Sequence, residues 1–122
     1  MPAFRDAAPI LQVADVERSL GFYRDLLGFE VEYSIPEDGE AAYVSLAIPG
    51  GTVGLAAAEG PVESASTAIW VYCDDVDAAF GELRDAGVEV CAEPADQPWG
   101  ERLTSVRDPD GYTIHIAAER RP

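Results

Sequence analysis

Residues 13–29 read VADVERSLGFYRDLLGF, and residues 73–87 read CDDVDAAFGELRDAG. In both stretches an Asp-Val pair is followed by apolar residues at helical spacing, an Arg-Asp pair and a closing glycine. Asp15 and Asp75, which lie 60 positions apart, are predicted to cap two helices, because an aspartate oxygen accepts from unpaired N–H groups. The closing glycines are predicted to end the helices in the left-handed conformation. The chain is therefore predicted to be an internal duplication.

Around the two helices the apolar period changes to two, which indicates β-strands. The hairpin turn of residues 108–111, Asp-Pro-Asp-Gly, lies between the last two of them. The predicted strands, besides one that opens the chain, are residues 42–48, 52–58, 67–73, 88–92, 102–106 and 112–117. The fold class is therefore predicted as α+β, a single domain of two βαβββ modules, residues 1–60 and 61–122.

Strand alternation assigns side chains to the two faces of the predicted sheet. Ile69 and Val71 are expected to face the helices, whereas Trp70, Tyr72 and His115 are expected on the opposite face. An aromatic face without a helix is either an interface or a ligand cavity. We therefore expect a curved mixed sheet with helices on its outer face and a ligand cavity on its inner face.

The composition favours a globular protein with an acidic surface. Of 122 residues 48% are apolar, no apolar run is long enough to span a bilayer, and no signal-peptide stretch opens the chain, so a cytoplasmic location is expected. Cys73 and Cys91 are expected to be small buried apolar residues. The net charge of −15 disfavours nucleic acid as a partner. The charge either attracts a cationic ligand or serves solubility alone.

Two stretches carry a resemblance to a known family. Residues 13–23 with Leu27-Gly28-Phe29, and the turn at residues 108–111, resemble the vicinal-oxygen-chelate superfamily, which includes glyoxalase I, extradiol dioxygenases and bleomycin-resistance proteins. Residues 97–102, read QPWGER, and His115 in the final strand are similar to the bleomycin-resistance branch. The resemblance implies a homodimer that binds a drug without turnover.

The metal ligands of the superfamily's enzymes are missing from the matching positions. The resemblance places ligands in the opening and closing strands of each half, where this chain has Ala8, Ala68 and, in residues 52–58, no His, Glu or Asp. Only His115 stands at a ligand-like position, and one histidine does not hold a catalytic metal. No metal and no cofactor are therefore expected, and His115 is interpreted as a structural or pocket-lining group.

Aromatic side chains are the candidate ligand-binding residues, because their faces stack on planar groups and attract cations. Glu32 belongs to an acidic segment, residues 30–40, which either attracts a basic tail of the ligand or is a solvated loop. The candidate site residues are Trp99, Gly100, Trp70, Tyr72, Tyr33, Tyr43, Glu32 and His115.

The leading hypothesis is a metal-free, non-enzymatic protein that sequesters an antibiotic. Its ligand is expected to be a small aromatic or cationic molecule, such as a bleomycin-type glycopeptide or an anthraquinone-type enediyne, with no nucleic acid or membrane as partner. The alternatives are a glyoxalase- or dioxygenase-like enzyme with an unusual or absent metal site, and a regulatory module that binds a metabolite or a protein.

Overall fold

The computed structural model describes residues 2–120 and contains two compact units, Met1–Val62 and Glu63–Pro122. The elements of the first are β1 (Ile10–Val13), α1 (Val16–Leu20) with a π-helical continuation (Gly21–Leu26), β2 (Glu30–Ile35), β3 (Tyr43–Ile48) and β4 (Gly51–Ala57). Those of the second are β5 (Ala68–Tyr72), α2 (Val76–Asp85), β6 (Val90–Asp96), β7 (Glu101–Arg107) and β8 (Thr113–Glu119). The predicted βαβββ order is confirmed in each unit.

Hydrogen bonds join the strands of each unit into one four-stranded mixed sheet. The order is β1-β4-β3-β2 in the first sheet and β5-β8-β7-β6 in the second. The opening strand of each unit pairs in parallel with the closing strand, and the other pairs are antiparallel. The helix makes the crossover that a parallel pair requires. The predicted α+β class is confirmed.

The predicted helix ends are confirmed at both copies of the repeat. Asp15 and Asp75 each accept a hydrogen bond from the backbone N–H three residues later, at 3.2 and 3.0 Å. Gly28 and Gly87 have φ angles of 81° and 84°, the left-handed region in which a side chain is disfavoured. The duplicated sequence therefore specifies the same helix boundaries twice.

The first helix widens after its first turns, which the apolar spacing did not predict. From Gly21 it is π-helical: the N–H of Leu27 donates to the carbonyl of Phe22 at 3.0 Å. The wider turns bury both Phe22 and Tyr23, whose rings meet edge to face at 4.9 Å. No helix among residues 2–120 is long and apolar enough to cross a membrane.

The core of the second unit lies between its sheet and α2. The middle of β7 and of β8 is buried, and α2 contacts β6, β7 and β8. Arg102, on the same face, pairs with Asp77 of α2 at 2.7 Å. The apolar residues buried here are Val76, Leu83, Val106, Ile114 and Ile116. Among residues 63–120 no helix lies on the face of this sheet opposite α2, and we call it the open face of the second unit.

Strand β6 differs from its prediction. It was expected at residues 88–92 but runs from Val90 to Asp96, with register shifts on both sides of Ala92. The shifts occur at a sheet edge and break the alternation on which the prediction depended. Cys91, expected to be buried, is exposed on this strand, and Cys73 is half-buried. The burial prediction is therefore wrong for Cys91.

Replacing Asp75 by Ala is expected to lower the free energy of unfolding by about 1 kcal/mol, because the N–H groups of the first turn of α2 lose their acceptor. Urea denaturation measures the change. Asp74→Ala is the matched control, since it removes the same charge one residue earlier and leaves the cap in place. Equal losses in the two variants would contradict the capping role.

Candidate ligand-binding site

The open face of the second unit brings three predicted site residues together. Cross-strand pairing sets Trp70 of β5 beside His115 of β8, which in turn lies beside Ser105 of β7. The ring centroid of Trp70 lies 5.5 Å from that of His115 and 6.3 Å from that of Tyr72. Trp70 is 42% exposed and Tyr72 63% exposed. These rings form a solvent-accessible aromatic surface on a rigid sheet.

A hydrogen bond to Ser105 orients the ring of His115. Its Nδ1 lies 2.7 Å from the Oγ of Ser105, a buried hydroxyl. This contact at Nδ1 fixes the orientation of the imidazole, and Nε2 is the other ring nitrogen. His115 therefore lies beside Trp70 with its ring oriented by Ser105.

A hydrogen bond joins Trp99 to Glu101 on the same face, and Glu101 was not among the candidate site residues. The indole Nε1 of Trp99 donates to Oε1 of Glu101 at 2.7 Å. The bend before β7 is made by Gly100, whose φ of 98° places it in the left-handed region. Although Trp99 is 58% exposed, its ring is tied to the sheet by this hydrogen bond.

Glu101 also acts on Tyr72 of the aromatic surface. The pKa of the Tyr72 phenol is raised above its ordinary value, first by its polar interaction with Glu101, and then by burial and by the negative charges of Glu101 and Glu119. The indole of Trp70 lowers this pKa and so acts in the opposite direction. Glu101 therefore interacts with both Trp99 and Tyr72.

The remaining predicted residues, Tyr33, Tyr43 and Glu32, lie on the sheet of the first unit. The ring centroids of Tyr33 and Tyr43 are 6.1 Å apart, and Ser45 Oγ donates to Glu32 at 2.9 Å. The pKa of the Tyr43 phenol is raised, chiefly by burial and then by the neighbouring Tyr33. Tyr33 and Tyr43 therefore lie beside each other on the sheet of the first unit.

Tyr43 depends on a glycine of the neighbouring strand. A Cβ built on Gly54 would lie 2.7 Å from Cε1 of Tyr43, closer than real Cβ contacts allow. The ring therefore lies across β4 only because Gly54 has no side chain. Strand alternation did not reveal this contact, because Tyr43 pairs with Ala56 in the register and reaches Gly54 diagonally.

The two alanines that the resemblance aligned with metal-ligand positions of the opening strands do not both lie in a strand, so the placement of Ala8 in the first strand is wrong. Ala8 precedes β1 and Ala68 begins β5, and both are exposed. Among residues 2–120 no group of three or more His, Cys, Asp or Glu side chains is arranged to hold a metal ion.

Two βαβββ units, each with a mixed four-stranded sheet and a capped crossover helix, define the structural class. The sequence matches the family described as "Glyoxalase/Bleomycin resistance protein/Dioxygenase superfamily" over residues 7–116. The chain therefore belongs to this superfamily, and the resemblance in its helix signatures is confirmed. No curated protein matches the sequence.

Solved structures share the fold over almost the whole chain. TnmS3, an antibiotic binding protein from Streptomyces sp. CB03234, is 26% identical, with a TM-score of 0.78 and coverage of 98% of both chains. A superfamily member from Sphaerobacter thermophilus DSM 20745 is 28% identical, with a TM-score of 0.77 and coverage of 96% of this chain and 98% of the other. TioX from Micromonospora sp. ML1 is 24% identical, with a TM-score of 0.80 and coverage of 95% and 99%.

Replacing Glu101 by Gln is expected to lower the pKa of Tyr72 towards the ordinary tyrosine value, because the charged acceptor that favours the protonated phenol is lost. Ultraviolet absorbance of phenolate follows the titration, and Tyr72→Phe identifies the component that belongs to Tyr72. Glu82→Gln on α2 is the charge-matched control. A titration of Tyr72 that is the same in Glu101→Gln as in the parent protein would exclude the hydrogen bond.

Proposed function

We propose that this protein binds an antibiotic that contains a planar aromatic group and sequesters it without turnover, so that it protects the producing cell from a DNA-damaging natural product. Bleomycin-type glycopeptides and anthraquinone-type enediynes are the two drug classes we consider. The drug would be held by stacking and hydrogen bonds, with no metal, cofactor or catalytic residue taking part. Affinity and a slow off-rate would then decide the level of protection.

The observation that carries this proposal is the exposed aromatic surface of the second unit. Trp70, Tyr72 and Trp99 together present large ring areas to solvent, where a soluble protein usually keeps few. The hydrogen bond to Glu101 holds the Trp99 ring before any ligand arrives, so less side-chain entropy is lost on binding. A preorganised aromatic surface suits a planar ligand.

Two further observations support the same function. TnmS3, which shares 26% of the sequence and the fold, is described as an antibiotic binding protein. The net charge of −15 would draw a cationic drug towards the protein.

We also propose that the protein is cytoplasmic and that it forms a homodimer. The dimer is proposed because the open edges of β2 and β6 permit strand pairing between chains. Sedimentation measures this association directly, and a monomer at all concentrations would contradict it.

Replacing Trp70 or Trp99 by Ala is expected to weaken drug binding by about 10-fold or more, because a stacked ring contributes roughly 0.5–1.5 kcal/mol beyond its buried area. Isothermal titration with bleomycin and with an anthraquinone-type enediyne measures the change. Trp70→Phe keeps an aromatic ring and is expected to retain most of the affinity. Phe4→Ala, at another exposed aromatic residue, is the control for general loss of apolar surface.

Sequestration and turnover are separated by the fate of the drug. A sequestered drug is recovered chemically unchanged after release from the protein, and mass spectrometry detects any modification. Failure of all tested drugs to bind, or recovery of a modified drug at more than one equivalent per protein, would contradict the proposed function.

An enzyme of the glyoxalase or dioxygenase type is the second candidate. The observation in its favour is His115, whose Nδ1 is held by Ser105 in the manner in which an outer-shell group orients a metal-binding histidine. Elemental analysis of the purified protein distinguishes the candidates. A stoichiometric divalent metal that is lost in His115→Ala would favour the enzyme, and its absence from protein purified in metal-supplemented medium would count against it.

A further inference from the structure

One nitrogen of the His115 ring has no partner within the described part of the chain. Strand β8 lies between β5 and β7, so His115 has Trp70 on one side, at a ring-centroid distance of 5.5 Å, and Ser105 on the other. Among residues 2–120 the contact between Nδ1 and Ser105 is the only hydrogen bond of this side chain. Nε2, the ring nitrogen farther from the backbone, is therefore available to a ligand.

The burial of Ser105 decides the direction of that hydrogen bond. The side chain of Ser105 is buried, and within residues 2–120 its only hydrogen-bond partner is His115. A hydroxyl has one proton to donate, and a buried proton without an acceptor is costly. Ser105 therefore donates to Nδ1. At the matching position of the first unit the hydroxyl of Ser45 also donates, in that case to Glu32.

The donor role of Ser105 determines which nitrogen of His115 carries the proton. A nitrogen that accepts a hydrogen bond is unprotonated, so the proton of the neutral imidazole is on Nε2. A doubly protonated ring also carries a proton on Nε2 and would donate from Nδ1 to the Ser105 oxygen. Nε2 is therefore a hydrogen-bond donor in both charge states, and it lies beside the ring of Trp70.

A conjugated carbonyl oxygen on the edge of a planar ring matches this arrangement. The lone pairs of such an oxygen lie in the plane of the ring. When the ring stacks on Trp70, they therefore point sideways, and His115 is the cross-strand neighbour of Trp70. The net charge of −15 favours a neutral acceptor over an anionic one.

We propose that His115 selects the ligand by donating a hydrogen bond from Nε2 to a carbonyl oxygen on the edge of its planar ring system, as in a quinone. Ser105 is a positioning residue, because it holds the ring and its proton in place. This inference rests on the proposed function and adds the chemical class of the aromatic group. It gives His115 a binding role that needs no metal ion.

The first experiment locates the proton on the imidazole. Because the chain has one histidine, long-range proton–nitrogen correlation spectra of its ring need no residue assignment. In the neutral ring we expect a protonated Nε2 and an unprotonated Nδ1. A neutral ring that is protonated on Nδ1 would overturn the inference.

The second experiment compares two neutral probes, an anthraquinone and an anthracene that carry the same triethylene glycol side chain. His115→Phe keeps a ring beside Trp70 but has no N–H group. It is expected to lower the preference for the anthraquinone about 5-fold, the contribution of one net hydrogen bond. Ser45→Ala, which removes the matching hydroxyl of the first unit, is the control and is expected to keep the preference.

The variant His115→Phe leaves the buried hydroxyl of Ser105 without its acceptor, so its stability is at risk. The double variant Ser105→Ala/His115→Phe removes both partners and is measured beside it. Near-ultraviolet circular dichroism confirms that each variant is folded. The same loss of preference is expected in the double variant.

Infrared difference spectra of the bound anthraquinone test the hydrogen bond and the role of Ser105. We expect the stretch of one carbonyl group to move to lower frequency in the parent protein and to return in His115→Phe. Ser105→Ala is expected to weaken this shift, and Ser105→Thr, which restores a hydroxyl, to recover it. A merely structural role of Ser105 would leave the carbonyl frequency unchanged.

The outcomes separate this inference from the proposed function. Equal preference in the parent and His115→Phe, or an unshifted carbonyl stretch, would overturn the inference and leave antibiotic sequestration standing. A preference that depends on His115, without binding of any drug, would uphold the inference and overturn sequestration. No binding of either probe would overturn the inference whatever the drugs do.

Discussion

Among residues 2–120 each unit has one helix to cover a four-stranded sheet, and the division between buried and exposed side chains follows from this constraint. One helix buries one face, so the second face must carry side chains that tolerate solvent or await a ligand. In the second unit the buried face holds Val106, Ile114 and Ile116, whereas the open face holds Trp70, Tyr72 and His115. Because side chains alternate along each strand, those that form the core lie on one face and those proposed to contact a ligand lie on the other.

The sequence predicts most of the fold because its signals are local and occur twice. Asp15 and Asp75 specify the helix starts by a hydrogen bond that spans three residues, and Gly28 and Gly87 specify the ends by backbone geometry. Features that depend on distant pairing were not predicted. The π-helical segment and the register shifts that expose Cys91 arise from tertiary packing and from a sheet edge.

The residues of the candidate site were likewise predicted only where the signal is local. Alternation along single strands placed Trp70, Tyr72 and His115 on one face, since each assignment needs only the strand itself. Ser105 and Glu101 were missed, because their roles appear only when the register sets β7 beside β8. An acidic residue at the start of a strand has no signature of its own, and Glu101 gains its role from the hydrogen bond of Trp99, two residues earlier.

The duplicated scaffold carries different side chains at matching positions of its two halves. Ser45 and Ser105 occupy matching positions, but the residue opposite is Gly54 in the first unit and His115 in the second. In the first unit the glycine lets Tyr43 lie across the neighbouring strand, so the protein's own ring fills that space. In the second unit Ser105 anchors His115, and the rings beside it stay exposed. The same backbone thus supports a tyrosine that lies across β4 in one half and an anchored histidine in the other, and both halves expose an aromatic ring, Tyr33 in the first and Trp70 in the second.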